Sequence, residues 1–151
     1  YFFSMKFLNY LFVVALMGLS GCGDSYTRPS ILRNKQSKIF TEIKNAPPVV
    51  LSTSPQSGTL DANPDLKEIT VTFSSEMLDN SWSWVQTSEE SFPKTTGDPN
   101  YDSNKRTVKL PVQLSPNTTY IMWINQGSNL NFKGANGKSS IPYLLAFKTE
   151  K

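Results

Sequence analysis

An all-β fold, an antiparallel sandwich of about seven short strands, is predicted for residues 47–151 on three observations. Two segments alternate apolar and polar side chains with a period of two: 67–74, with Ile69, Val71 and Phe73 on one side, and 106–114, with Val108, Leu110, Val112 and Leu114 on one side. Turn clusters such as Ser54-Pro55-Gln56-Ser57-Gly58 separate the apolar runs. No stretch after Pro47 carries a long helical period. A domain of about 105 residues buries roughly 65% of its unfolded-chain surface, enough to fold without disulfides. The single cysteine could form none within the chain.

The elements follow in order. Pro47-Pro48 stiffens the start, and Val49, Val50 and Leu51 form the first strand; 67–74 is the second. Trp82, Trp84 and Val85 begin a third. The segment 102–105 reads as a hairpin turn, since Asp and Asn tolerate left-handed backbone and bond it locally. It leads into 106–114, where Pro111 on the outward side marks an edge strand or a bulge, because proline donates nothing to a ladder. The segments 119–125 and 141–149 complete the set, the last with Tyr143, Leu145 and Phe147 on one face.

The first 21 residues have a different character. Met5 and Lys6 give a basic start, 11–19 is apolar, and Leu19-Ser20-Gly21-Cys22 follows. A positive n-region, a short apolar h-region and small residues at the end are the parts of a secretory signal. The run falls short of the roughly 20 residues needed to span a bilayer. Leucine, two small residues and cysteine after such a run resemble the lipobox of bacterial lipoprotein precursors. That resemblance implies cleavage between Gly21 and Cys22, a diacylglyceryl group on the Cys22 thiol, and a membrane as partner. Gly23 stands where an aspartate would retain such a protein at the inner membrane, so the resemblance favours the outer membrane, on its periplasmic or surface face. Tyr1, Phe2, Phe3 and Ser4 read as an upstream extension or a fragment boundary.

Residues 22–46 form a basic tether: Arg28, Arg33, Lys35, Lys38 and Lys44 against Asp24 and Glu42, a net +3. Residues 47–151 carry nine basic and ten acidic side chains. A basic excess beside a lipid suits anionic headgroups, not nucleic acid; an ordinary solvated linker is the competing reading. The tether is open between a flexible coil and a short helix. Ile31, Leu32, Ile39 and Ile43 fall on one helical face, which would lie on the membrane or dock on the domain, and Ser30 is placed to cap its first turn.

Several short motifs of the domain, in order, resemble those of one family. Leu114-Ser115-Pro116-Asn117-Thr118-Thr119-Tyr120 is similar to the tyrosine corner of fibronectin-III-like and Ig-like domains, in which Tyr120 would bond upstream backbone. Pro47-Pro48-Val49-Val50, Ser54-Pro55 with Gly58, Ile69-Thr70-Val71-Thr72-Phe73-Ser74 with Met77, and the closing Phe147-Lys148-Thr149 resemble the bacterial Ig-like domain of S-layer proteins (SbsA-type). Ser81-Trp82-Ser83-Trp84 with Ile141-Pro142-Tyr143-Leu144-Leu145 is similar to a subgroup found in envelope proteins. The resemblance implies an Ig-like sandwich in an extracytoplasmic setting and no shared catalytic activity.

The chemistry available agrees. The chain has no histidine, which removes imidazole triads and histidine zinc sites. The expectation is a non-enzyme with no cofactor beyond the lipid on Cys22, serving as a lipid-anchored module that engages an envelope protein or polysaccharide. Two alternatives stand beside it. Asp98, Asn100 and Asp102 place oxygen side chains at alternate positions, as a calcium loop does, but Ser103 and Lys109 stand where an EF-hand needs glycine and glutamate. Asp61, Asn63 and Asp65 form a second such turn. Trp82 and Trp84, co-facing if both lie on a strand, with Trp123 and with Phe92, Tyr101 and Phe132 in predicted loops, offer a stacking platform for sugars. Packing of Trp82 and Trp84 in the core or a loop is the favoured reading of that pair.

Overall fold

The computed structural model describes residues 30–151. The signal segment, Gly21, Cys22 and the start of the tether lie outside the described residues.

The tether resolves as a helix, α1 (Ser30–Lys44). Eight strands follow: β1 (Val50–Ser54), β2 (Glu68–Phe73), β3 (Trp84–Gln86), β4 (Lys94–Thr95), β5 (Asn100–Tyr101), β6 (Thr107–Gln113), β7 (Thr119–Ile124) and β8 (Tyr143–Lys148). They form two antiparallel sheets: β1-β2-β6 with β4 and β5 on the far side of β6, and β3-β7-β8. This is the strand order of an Ig-like sandwich.

The alternating segments place the core. Ile69, Val71 and Phe73 of β2 and Val108, Leu110 and Val112 of β6 face Tyr120, Met122 and Ile124 of β7 and Leu145 and Phe147 of β8, all buried. Within the first sheet Ile69 stands opposite Leu110 and Val71 opposite Val108. Among the described residues the buried core cluster runs from Ala62 to Phe147. None of residues 30–46 belongs to it.

Three details differ from the sequence reading. The third strand begins at Trp84 instead of Trp82. β6 is interior to its sheet, not an edge. Pro111 points its nitrogen toward the far side, where its carbonyl accepts the Thr96 N–H at 3.0 Å while the next N–H, of Val112, turns back to Lys67 O at 2.8 Å. The missing donor falls between β4 and β5, which pair with β6 on either side of it. Gly97 lies against the proline ring there; a Cβ at that position would stand 3.5 Å from Pro111 Cγ. One edge strand is thus broken into two pieces, giving eight strands where seven were expected. In the 102–105 turn the left-handed residue is Lys105 (φ 51°), not an Asp or Asn.

The first strand also changes sheets. After β1, the chain turns through a cis Ser54–Pro55 bond and runs along β8. Gly58 N–H donates to Ala146 O at 2.7 Å, Lys148 N–H to Thr59 O at 2.8 Å and Ala62 N–H to Lys148 O at 3.0 Å. The β8 edge is therefore occupied by the protein's own backbone.

Candidate functional site

The family-like motifs are structural devices at the ends of the sandwich. Tyr120, first inward residue of β7, accepts the Ser115 N–H on its hydroxyl at 2.8 Å and tilts against Phe147 with ring centroids 5.4 Å apart. Two residues on, buried Thr149 donates its hydroxyl to Ser115 O at 2.7 Å and accepts the Thr118 N–H at 2.9 Å. The corner and the chain's last strand are thus tied at three points. Replacing Tyr120 by Phe leaves the Ser115 N–H without its partner. The expected loss is about 1–3 kcal/mol, read as a thermal midpoint lower by roughly 4–8 °C per kcal/mol for a domain of this size; an unchanged midpoint would remove Tyr120 as the corner's support.

Asp102 serves its hairpin. Its Oδ1 accepts the N–H of Arg106 at 2.9 Å and of Thr107 at 3.2 Å. Desolvation opposes its ionisation, but these and further hydrogen bonds prevail, and the carboxyl is held below its ordinary value. A depressed carboxylate stabilises the fold above its unfolded pKa, and this contribution fades as pH falls through the native value. Asn100 lies in β5, and Asp98 is exposed in the segment before it. In the other acidic turn, Asn63 Oδ1 accepts the Asp65 N–H at 2.8 Å, while Asp61 and Asp65 are exposed. Among the described residues no three His, Cys, Asp or Glu side chains converge on one point.

The three indoles do not share a platform. Trp82 and Trp84 are half-buried against the core, and Trp84 meets Phe132 edge-on at 5.3 Å. Phe132, placed in a loop by sequence, is in that loop yet 0% exposed; Phe92 and Tyr101 also pack inward. Burial, and secondarily the Asp79 charge, push the Tyr101 hydroxyl above its ordinary value.

Trp123 is on the opposite side of its sheet. Tyr120, Met122 and Ile124 point into the core, so the intervening Ile121 and Trp123 face outward. The register sets Val85 of β3, Trp123 of β7 and Leu144 of β8 in one cross-strand row, with Ile121 beside Ala146 in the next. Leu144 is 41% exposed. Directly opposed side chains in such a row lie within contact range, so the outer face of the three-stranded sheet carries a continuous apolar band centred on an indole. Its signal was present in the sequence: Trp123 sits out of phase with Met122 and Ile124.

A residue the sequence did not single out is Asn125, just after β7. It is 0% exposed with φ of 60°. Its side chain accepts the Phe132 N–H at 2.9 Å and donates to Phe132 O at 3.0 Å and Ser140 O at 3.1 Å. This amide pins the 125–140 loop to the sheet end.

Comparison with known proteins agrees with this architecture. The family model described as a bacterial Ig-like domain matches residues 44–149. Among solved structures, the chain is similar to surface layer protein SbsC, domains 1-6, with a TM-score of 0.52 at 16% identity, covering 85% of this chain and 17% of that one. It is equally similar to the crystal structure of the S-layer protein rSbsC(31-844), with a TM-score of 0.52 at 17% identity and the same coverage. The chain thus spans about a sixth of the length of those proteins, and at such identity the likeness concerns the fold. No curated protein matches the chain.

Proposed function

Since the chain belongs to the bacterial Ig-like domain family, we propose that it is a non-catalytic module of the cell envelope, tied to a membrane through lipid on Cys22. In this reading it engages another envelope protein or polymer through the outer face of the β3-β7-β8 sheet. The observation that carries the proposal is the Val85–Trp123–Leu144 row. Apolar side chains with an aromatic at the centre are the composition of interface cores, and a contiguous apolar band on a small domain marks a contact surface. Strand addition, the other way a sandwich recruits a partner, has one longer edge open to it, the five residues of β1; β8 bonds residues 58–62, and β3, β4 and β5 have three, two and two residues.

The glycan reading requires co-facing, solvent-facing indoles, an arrangement that Trp82 and Trp84 do not offer. Intact-mass measurement on protein purified from bacterial membranes tests the anchor: a diacylglyceryl adduct on Cys22 is expected, and an unmodified thiol in the membrane-bound protein would overturn it. The surface is tested with a photo-crosslinking residue at Trp123 or at Ser52 of β1, in membranes of the native organism. A discrete adduct from Trp123 and none from Ser52 is expected. Adducts from Ser52 alone would move the interface to the other sheet.

A further inference from the structure

We infer that α1 lies flat on an anionic phospholipid surface with its apolar side in the lipid. The inference deepens the membrane-anchor reading and rests on it only for location, since the chemistry belongs to α1 itself. The helix leaves Ile31, Ile39, Phe40 and Ile43 exposed by 77%, 47%, 63% and 66%. Ile39 and Ile43 are one turn apart and Phe40 adjoins them, so these three form one apolar side about 100° wide at about 100° per residue, while Ile31 lies outside it beside Lys35 and Glu42. The opposite side is Asn34, Ser37 and Thr41. There Ser37 Oγ donates to Asn34 O at 2.9 Å and Thr41 Oγ1 to Ser37 O at 2.9 Å, so its hydroxyls are engaged by the helix itself.

Three of the helix's four cations stand on the borders between these two sides. Arg33 and Lys44 are seven residues before and four after Phe40, on one border; Lys35 is four residues before Ile39, on the other, while Lys38 and Glu42 lie farther round toward the polar side. With Glu42 the helix carries a net +3. Bordering lysines and arginines can lay their methylene stems along the lipid while the charged heads reach phosphate. The sandwich does not cover the apolar side. It meets the helix at its C-terminal end, where Ile43 and Lys44 line an open cleft with Ser74, Glu76 and Ala135 and where Asn136 Nδ2 donates to Lys44 O at 3.2 Å and to Ala46 O at 3.0 Å, and Lys138 Nζ donates to Asn45 O. Among the described residues no helix is long and apolar enough to cross a bilayer. An in-plane position suits such a segment, and it would fix the height of the sandwich above the membrane, which a flexible coil could not.

The test uses residues 23–151, which retain the self-contained core and lack the lipidated cysteine. Co-sedimentation with phosphatidylglycerol vesicles is expected, on the order of a hundredfold tighter than with phosphatidylcholine from three net charges near the surface, and weakening as salt is raised. The double substitution Ile39→Asp with Ile43→Asp should abolish binding without moving the thermal midpoint of the sandwich. Absence of binding to phosphatidylglycerol at low salt overturns the inference. So does equal binding to both lipids, or a lipid-free dimer in sedimentation velocity that the double substitution dissolves, which would assign the apolar side to a second copy. Because this chain carries no acyl group, its failure leaves the Cys22 reading standing, and an unlipidated Cys22 leaves this result standing.

Discussion

Replacing Phe132 by alanine is expected to destabilise the domain by about 3–5 kcal/mol. Native stabilities of small domains are only about 5–15 kcal/mol, so a large share of the margin would go. The reason is position. Phe132 is fully buried although it belongs to no strand, and its ring bridges the two sheets. It lies 5.5 Å from Phe73 of β2 and 5.3 Å, edge-on, from Trp84 of β3. Removing it opens a cavity walled by rigid strands that cannot collapse to fill it. Urea denaturation should show a lower midpoint at an unchanged slope. Phe92→Ala, only partly buried at the core's margin, should lose less. A loss below about 1 kcal/mol for Phe132→Ala would mean that the loop does not occupy the core.

Asn125→Ala is expected to lose about 2–5 kcal/mol by another route. It strands the buried Phe132 N–H and Ser140 C=O, at about 1–3 kcal/mol for each unsatisfied group. It also leaves alanine at a left-handed backbone position that asparagine tolerates better. Asn125→Asp sharpens the test through pH. A carboxylate there would be desolvated and would face the carbonyl oxygens of Phe132 and Ser140, so its native pKa must rise. A raised native pKa stabilises below the unfolded value, near 4, and that contribution is lost as pH increases. The Asp variant should therefore approach wild-type stability in acid and diverge from it toward neutral pH. A difference from wild type that is independent of pH would refute the buried amide network. The two sites share the 125–140 loop, so the Phe132→Ala and Asn125→Ala losses should add to less than their sum.

The strands β2, β6, β7 and β8 were legible because each is buried on one face only, and a half-buried strand writes its orientation into alternate residues. The corner at Tyr120 was legible because a proline, polar turn residues and a tyrosine occur there at fixed local spacing. The third strand was placed too early because Trp82 and Trp84 are both apolar in environment and nothing local separates a loop indole from a strand indole. Pro111 was read as an edge signal because sequence shows a missing donor but not which side it faces. The β4–β5 break shows that an interior strand tolerates proline when its neighbour is interrupted at that point. Trp123 was grouped with the other indoles by residue type, although its phase against Met122 and Ile124 sets it on the outer face.

What the sequence determined by itself was set by local periodicity and local chemistry: a β-sandwich, its inward residues, its corner, and a basic tether able to form a helix. What only the tertiary structure decided was set by contacts distant in sequence. Phe132 is core because strands from both sheets surround it, Asn125 is structural because three backbone groups from a later loop converge on it, and the β8 edge is closed because residues 57–62 cross to it. The exposed sides of α1 and of the β3-β7-β8 sheet belong to the same class. Amphipathic sequence can form such faces, but only the packed fold shows how much of each stays open: α1 keeps its isoleucines exposed, while on the sheet Leu144 is exposed and Val85, Ile121 and Trp123 are half-buried.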